Sequence, residues 1–221
     1  MNTKNNRRPL RVRETAWAQK TARLLSRKNI TPNQISLISI FFAAAAAVSL
    51  LMLPYVSGAG AFLPPILAAI FIQCRLLCNL FDGMVAVEGG KTTPAGELFN
   101  DIPDRIADPL ILIAAGYAGM SGNGAESVGW CAGLLAVFTA YIRVLSVSIG
   151  APADFQGPMA KQHRMALMTV ACLLTAGEGL FGQQGTVLFL SLVLIVIGSV
   201  ITAFRRIFAA YRYLEDTKKN V

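Results

Sequence analysis

The sequence predicts an all-α, polytopic membrane protein with six transmembrane helices and, ahead of them, an amphipathic helix lying in the membrane interface. Three observations carry that expectation. First, 54% of the 221 residues are hydrophobic and only 14% are charged, a balance unlike that of a soluble globule. Second, the apolar residues gather into six runs, approximately 34–53, 61–82, 97–120, 127–149, 165–182 and 184–208. Each has the roughly 18 residues or more that a helix needs to cross a bilayer. Third, the cations keep to one side. Nine of the 20 Lys and Arg residues fall within the first 28 positions, and the connections 54–60, 120–127 and 180–186 carry none. The other two connections hold Lys91 and Lys161, with Arg75, Arg105, Arg143 and Arg164 towards the adjoining helix ends. The tail adds Arg205, Arg206, Arg212, Lys218 and Lys219. Basic residues stay cytosolic, so both termini and these two connections are expected on the cytosolic face.

The net charge of +8 therefore fringes a membrane protein, and anionic lipid headgroups suit it better than nucleic acid. Cys74, Cys78, Cys131 and Cys172 all fall in apolar runs and read as small buried hydrophobes, not as a disulfide or a metal site. No cleavable signal peptide is expected, because the first apolar run begins only after about 33 residues and is long enough to span. One domain is expected over 1–221: a basic tail and interfacial helix (1–30), a six-helix bundle (31–210) and a cytosolic tail (211–221).

In chain order, residues 1–13 are polar and basic, a loose tail. From Glu14 to Arg27, Trp17, Ala18, Leu24 and Leu25 alternate with Lys20, Arg23 and Arg27. Such a helix lies in the interface with its tryptophan inward, or is solvated with one packing face. In NITPNQIS (29–36), Thr31 or Asn29 can cap the first span and Pro32 suits its first turn. Helix starts of this kind can also receive a phosphate. The third run opens with acids, so its cytosolic half cannot face lipid. The Gly- and Pro-punctuated connection at 150–166 is long enough to lie against a site. Its one histidine, His163, stands among cations and reads as a solvated surface residue.

The chemistry concentrates between Asn79 and Asp108. Asn79 and Asp82 are i, i+3 near the end of the second run; Asn100 and Asp104 are i, i+4 at the start of the third. Each pair shares a helix face. If these two helices are antiparallel neighbours, four oxygen-bearing side chains converge, a set that suits Mg²⁺, Mn²⁺ or Ca²⁺. The plainer alternative is a salt-bridged hairpin in which Arg105 and Lys91 neutralise the acids. Gly83, Ala86 and Gly96 leave the helix surfaces open to a close approach.

The spacing N79-x2-D82-G83-x2-A86-V87-x8-G96-x3-N100-x3-D104 resembles the D-x2-D-G-x2-A-R-x8-G-x3-D-x3-D motif of CDP-alcohol phosphotransferases. Five of the eight motif positions agree without a gap, and the amphipathic start and six spans are also similar to that family. The resemblance implies displacement of CMP from a CDP-linked lipid, CDP-diacylglycerol, by an alcohol acceptor, with Mg²⁺ or Mn²⁺ as cofactor. In the family the first three aspartates hold one metal, and the first, third and fourth hold another. Carried over, Asp104 is the catalytic base, and Asn79, Asp82, Asn100 and Asp104 form the metal site. Pro32, Asn33, Gly83, Ala86, Thr93 and Gly96 are placed near the CDP moiety. Arg143, Lys161 and Arg164 are candidates for the acceptor, notably for the phosphate of a phosphorylated one. The resemblance also implies a homodimer and a bacterial cytoplasmic membrane.

Three positions depart from the motif. Asn79 and Asn100 replace its first and third aspartates, so the site has a formal charge of −2 where the motif has −4. Val87 replaces its arginine, and Arg75 or Lys91 is a candidate substitute. One metal can suffice, or Asp101 and Asp108, on the same helix face as Asp104, can take over. The alternative from another class is a non-catalytic membrane homologue that binds nucleotide-lipid or cation and regulates a partner. A cation transporter is disfavoured, because the acids cluster at one end and Glu126 and Glu178 stand isolated near the other.

Overall fold

The computed structural model describes residues 11–88, 90, 95–119, 124–178 and 185–219. Among them the chain forms α-helices joined by turns. A 3₁₀ turn, Arg11–Glu14, leads into α1, Ala16–Arg27, and then come α2 (Pro32–Met52) and α3 (Leu63–Glu88). The rest is α4 (Gly96–Ala118), α5 (Ala125–Ser148), α6 (Lys161–Glu178) and α7 (Thr186–Lys219). Four stretches are long and apolar enough to cross a membrane: Pro32–Tyr55, Leu63–Val87, Ala125–Ser148 and Thr186–Thr217. The protein is thus an integral membrane protein. The two helices outside that set, α4 and α6, carry Asp101, Asp104 and Asp108, and Lys161 and Arg164.

Local chemistry sets the helix boundaries. Asn29 takes a left-handed φ of 57°, which asparagine tolerates better than most residues, and turns the chain from α1 into α2. Thr31 then caps α2 through a reciprocal box. Its Oγ1 accepts from the Gln34 backbone N–H at 3.3 Å, and the Gln34 side chain accepts from the Thr31 N–H at 3.0 Å. At the other end of the bundle, the Glu178 carboxylate accepts from the N–H groups of Gly185 (2.8 Å) and Val187 (2.7 Å). An acid there satisfies two orphan donors and meets the positive end of α7. That gives Glu178 a structural task at the membrane face where the sequence isolated it.

The six long helices form a ring in the cyclic order α2, α3, α6, α7, α5, α4, with α4 also meeting α7 across the interior. Here the neighbouring hairpin considered for the second and third runs needs correction. α3 and α4 touch only marginally, and α2 packs against both. Alanines make that possible: Ala43, Ala46 and Ala47 of α2 are buried at the centre of the core, where short side chains let three helices come close. The α4–α5 crossing is closer still. A Cβ placed on Gly129 would lie 2.9 Å from the Gly116 Cα, and one on Gly116 would lie 2.7 Å from the Ala125 carbonyl oxygen.

A smaller cluster ties α1 to the ring. Ala18 and Ala22 are buried with Ile35, Leu80, Met84 and Val85, while Lys20, Arg23 and Arg27 are exposed. Trp17 meets Phe81 edge-on at 6.0 Å between ring centroids. The cysteines are free thiols, but only Cys172 is buried as expected: Cys74 and Cys78 are half-buried and Cys131 is exposed; His163 is an exposed residue whose Nδ1 lies 3.1 Å from the Pro158 carbonyl oxygen.

Candidate active site

Inside one end of the ring lies a cavity of about 220 Å³, walled by α3, α4, α5, α6, the start of α7's last turns at Arg206, and the N-terminal Arg13. Its floor is acidic. Asp104 and Asp108 are buried on α4, roughly 12 and 18 Å along the axis from the helix start at a rise of about 1.5 Å per residue. Carboxylates so deep in a membrane protein need partners, and each has them.

Arg75 of α3, fully buried, reaches both. Its Nη2 lies 2.9 Å from Asp104 Oδ1 and also pairs with Asp108. Asn79, one turn further along α3, donates from Nδ2 to the same Asp104 oxygen at 3.0 Å. Asp104 Oδ2 pairs with the Lys161 ammonium at the start of α6. Asp108 Oδ2 meets Arg164 Nη2 at 3.3 Å. Arg164 is itself fixed by donating to the Met159 carbonyl oxygen at 2.8 Å and to Thr139 Oγ1 at 3.3 Å. Breaking a buried pair of this kind by removing one partner costs about 3–5 kcal/mol.

Asp82 is also buried but faces α2. Its Oδ2 accepts from Ser36 Oγ at 2.7 Å, and its Oδ1 accepts from the Gly83 backbone N–H. Ser36 in turn bonds the Pro32 carbonyl oxygen at 3.1 Å, so the Pro32–Asn33 start of α2 lies about one helical turn from Asp82. Asp101 lies nearer the mouth, where Arg143 (2.9 Å) and the i+4 neighbour Arg105 (2.8 Å) bond it. Arg143 also stacks 5.2 Å over the Phe155 ring.

The structure therefore joins Asn79 to Asp104 and sets Asp108, Lys161 and Arg164 beside them. It brings Asp101 and Arg143 to the mouth of the same cavity. Asn100 lines that cavity too but is exposed. Gly83 and Ala86 are half-buried near the end of α3, Gly96 opens α4, and Val87 is exposed. Thr93 and Lys91 lie outside the described residues. Among the described residues, no three His, Cys, Asp or Glu side chains come together as a metal cluster, which follows from asparagine at positions 79 and 100.

Two arginines carry more of the site than the sequence assigned to them. Arg75 was noted only as a substitute for the missing motif arginine, yet it anchors two acids. Arg206 was counted with the tail. It is buried instead, donating to the Thr139 carbonyl oxygen at 2.7 Å and to that of Gln156 at 3.1 Å. A signal for it existed. Ser199, Thr202 and Arg206 fall at i, i+3 and i+7 in an otherwise apolar run, which marks one inward polar stripe, and all three are buried.

Arg13, Arg105, Arg143, Lys161, Arg164 and Arg206 line the cavity against the three carboxylates Asp101, Asp104 and Asp108. Six cations to three acids leave a surplus of three positive charges on the wall, a field that favours an anion with more than one negative charge.

Comparison with known proteins adds three findings. Residues 29–210 match the family profile described as CDP-alcohol phosphatidyltransferase. The phosphatidylinositol phosphate synthase of Streptomyces avermitilis is 26% identical over 200 residues, covering 86% of this chain and 76% of that protein. Crystal structures of the Mycobacterium tuberculosis phosphatidylinositol phosphate synthase share the fold. The one with CDP-DAG bound has a TM-score of 0.72 at 20% identity, covering 88% of this chain and 93% of that one. The one in complex with manganese and citrate has a TM-score of 0.72 at 19% identity, covering 88% of each chain.

Proposed function

This chain belongs to the CDP-alcohol phosphatidyltransferase family, and from that premise we propose that it transfers a phosphatidyl group from CDP-diacylglycerol to a phosphorylated alcohol, releasing CMP. The observation that carries the choice of acceptor is the cationic surplus of the cavity wall. The CDP-lipid supplies its own diphosphate, and a second anionic group offsets the net positive charge of the wall. The similarity to a phosphatidylinositol phosphate synthase supports the same choice.

In the proposed roles, Asp104 takes the proton of the acceptor hydroxyl. The acceptor oxygen bonds to the phosphorus that carries diacylglycerol, and the bond from that phosphorus to the CMP oxygen breaks. Arg143, Lys161 and Arg164, joined by Arg206, hold the acceptor's phosphate. Pro32, Asn33, Gly83, Ala86, Thr93 and Gly96 surround the cytidine diphosphate. Mg²⁺ or Mn²⁺ is the cofactor, and the donor set suits it: two carboxylates and two amide carbonyls are hard oxygens. The ion pair of Lys161 with Asp104 supports a cation at this carboxylate. A bound divalent ion neutralises charge developing on the leaving phosphate. Asp82, Asp104, Asn79 and Asn100 are the residues that would hold it, with Asp101 and Asp108 as candidate substitutes.

The same proposal extends to topology. α2 to α7 make six spans, α4 and α6 crossing with their polar faces turned into the ring. α1 lies in the interface, and the chain acts as one domain. Both termini and the cavity face the cytosol of a bacterium, and two copies pair as a homodimer.

The test is CMP release by the purified protein with CDP-diacylglycerol, Mg²⁺ or Mn²⁺, and a panel of acceptors. The panel holds inositol phosphate, glycerol 3-phosphate, inositol, serine and choline. Metal-dependent release with a phosphorylated acceptor is expected. Release only with an unphosphorylated one overturns the acceptor class, and silence with CDP-diacylglycerol still bound points to a non-catalytic homologue.

A further inference from the structure

On the outside of the ring, a groove of about 520 Å³ runs between α7 and the 154–156 segment. Its α7 wall is a single helical stripe. Ile201, Phe204 and Phe208 supply the apolar part, and Arg205 and Arg212 stand on the same side, at the i, i+3, i+4, i+7 and i+11 spacing of one helix face. All five are exposed, whereas Ser199, Thr202 and Arg206 on the opposite face are buried. We infer that this groove is a binding site for one phospholipid of net negative charge, drawn from the surrounding leaflet and distinct from the lipid that reacts. The inference does not depend on the phosphatidyl-transfer reading.

Charge and depth both argue for that occupant. Among the described residues, neither Arg205 nor Arg212 forms an ion pair. The acid of the groove, Asp154, is bonded within its own loop, where its Oδ1 accepts from the Gln156 backbone N–H at 2.7 Å. Two arginines and one aspartate leave a net charge of +1, which a headgroup of opposite charge neutralises and a zwitterionic one does not. Guanidinium forks match phosphate oxygens, and the short side chain of Ala209, between the two arginines on the stripe, leaves space for a headgroup there. Measured from Thr186 at the start of α7, Arg205 stands about 29 Å along the axis at about 1.5 Å per residue. A hydrocarbon core is roughly 30 Å thick, so the arginines begin at headgroup level while Ile201 and Phe204 lie at the edge of the acyl chains. Free phosphate would use the arginines alone. An apolar stripe continuous with them fits a molecule that carries both a phosphate and acyl chains.

Among the described residues, the groove shares no lining residue with the acidic cavity, yet the two share a wall. Asp154 and Gln156 line the groove, and Phe155 between them lines the cavity. Likewise Arg205 lines the groove and Arg206 the cavity. Arg206 ties the wall together by donating from Nε to the Gln156 carbonyl oxygen at 3.1 Å. A lipid seated outside therefore rests against the segment that carries Phe155, the ring beneath Arg143.

The experiment uses the full-length protein in phosphatidylcholine nanodiscs doped with a trace of photoactivatable lipid, its diazirine near the glycerol end of one acyl chain. Probes with phosphatidylglycerol, phosphatidylethanolamine and phosphatidylcholine headgroups are compared, and adducts are mapped by peptide mass spectrometry. Labelling of residues 201–212 is expected to be about 5-fold greater with the phosphatidylglycerol probe, the equivalent of about 1 kcal/mol for one arginine near an anionic headgroup. In the Arg205→Gln and Arg212→Gln double variant that excess is expected to vanish while the thermal-unfolding midpoint stays unchanged. Equal labelling by the three probes, or a preference for phosphatidylethanolamine, overturns the inference. So does an excess that persists in the folded double variant. The comparison of probes on the unaltered protein decides the matter even where that variant does not fold.

Discussion

At the scale of single residues, Asp104 is the point where the buried polar contacts of α3, α4 and α6 meet. Asn79, Arg75 and Lys161 converge on its two oxygens, which holds the carboxylate in one orientation. Replacing Asp104 with Asn keeps the shape and removes the proposed base. CMP release is expected to fall by about 10²–10⁴-fold while CDP-diacylglycerol binding by the folded variant remains measurable. Unchanged turnover would assign the base elsewhere. Arg143 makes a separable prediction because it stands at the mouth and, among the described residues, bonds Asp101 and stacks over the Phe155 ring. Arg143→Ala is expected to raise KM for a phosphorylated acceptor by roughly 10-fold, the scale of one charged hydrogen bond, with little change in kcat. Equal losses in KM for CDP-diacylglycerol would remove it from the acceptor subsite. The motif acids were legible at this scale because their spacing is fixed by helix geometry. The burial of Arg75 and Arg206 was less so. An arginine that faces inward and one that serves the positive-inside pattern look alike until the neighbouring polar residues reveal the phase of the helix.

Elements were more legible than their neighbours. Six apolar runs became six helices, and Thr31 and Pro32 open α2 as their chemistry suggests. The pairing of helices was not legible, because a membrane helix chooses partners by the small residues on its surface, and those choices are three-dimensional. Gly116, Gly129 and Gly133 bring α4 and α5 into backbone contact, and the same pair of helices sets Asp101 against Arg143. A leucine at Gly129 cannot be fitted without separating the helices. Gly129→Leu is expected to destabilise the protein by about 1–3 kcal/mol and to lower turnover with it. A thermal-unfolding midpoint equal to that of the parent would show that the crossing yields at little cost. α7 surprised differently. Its helix continues through Arg206 to Lys219, about 51 Å at 1.5 Å per residue, well beyond the roughly 30 Å hydrocarbon core. The apolar run marked only where lipid ends, since no helix breaker follows it.

For the whole molecule, charge placement predicts orientation. Ser57 lies in a connection free of Lys and Arg, and Asp154 in one that leads to the site. In a cysteine-free background, Ser57→Cys is expected to react with an impermeant thiol reagent in intact cells. Asp154→Cys is expected to react only after the membrane is opened. The reverse pattern would invert the topology and place the cavity outside. The ring order explains how residues of the second and third runs meet without the two helices being close neighbours. α3 and α4 hardly touch, yet both send their polar ends to the same interior.

That ring order also bears on how the chain is made. α4 carries Asp101, Asp104 and Asp108 with Pro103 and Pro109, and each central aspartate opposes insertion by about 2.5–3.5 kcal/mol. Its supports arrive at different times: α2 and the Arg75 of α3 precede it, whereas α5, Arg164 and α7 follow. A ribosome that has delivered only the first half of the protein presents the translocon with a segment that lipid rejects. In the proposed six-span topology α4 waits beside the insertion machinery until its later partners emerge, and the polar cavity is assembled as that helix enters the bilayer.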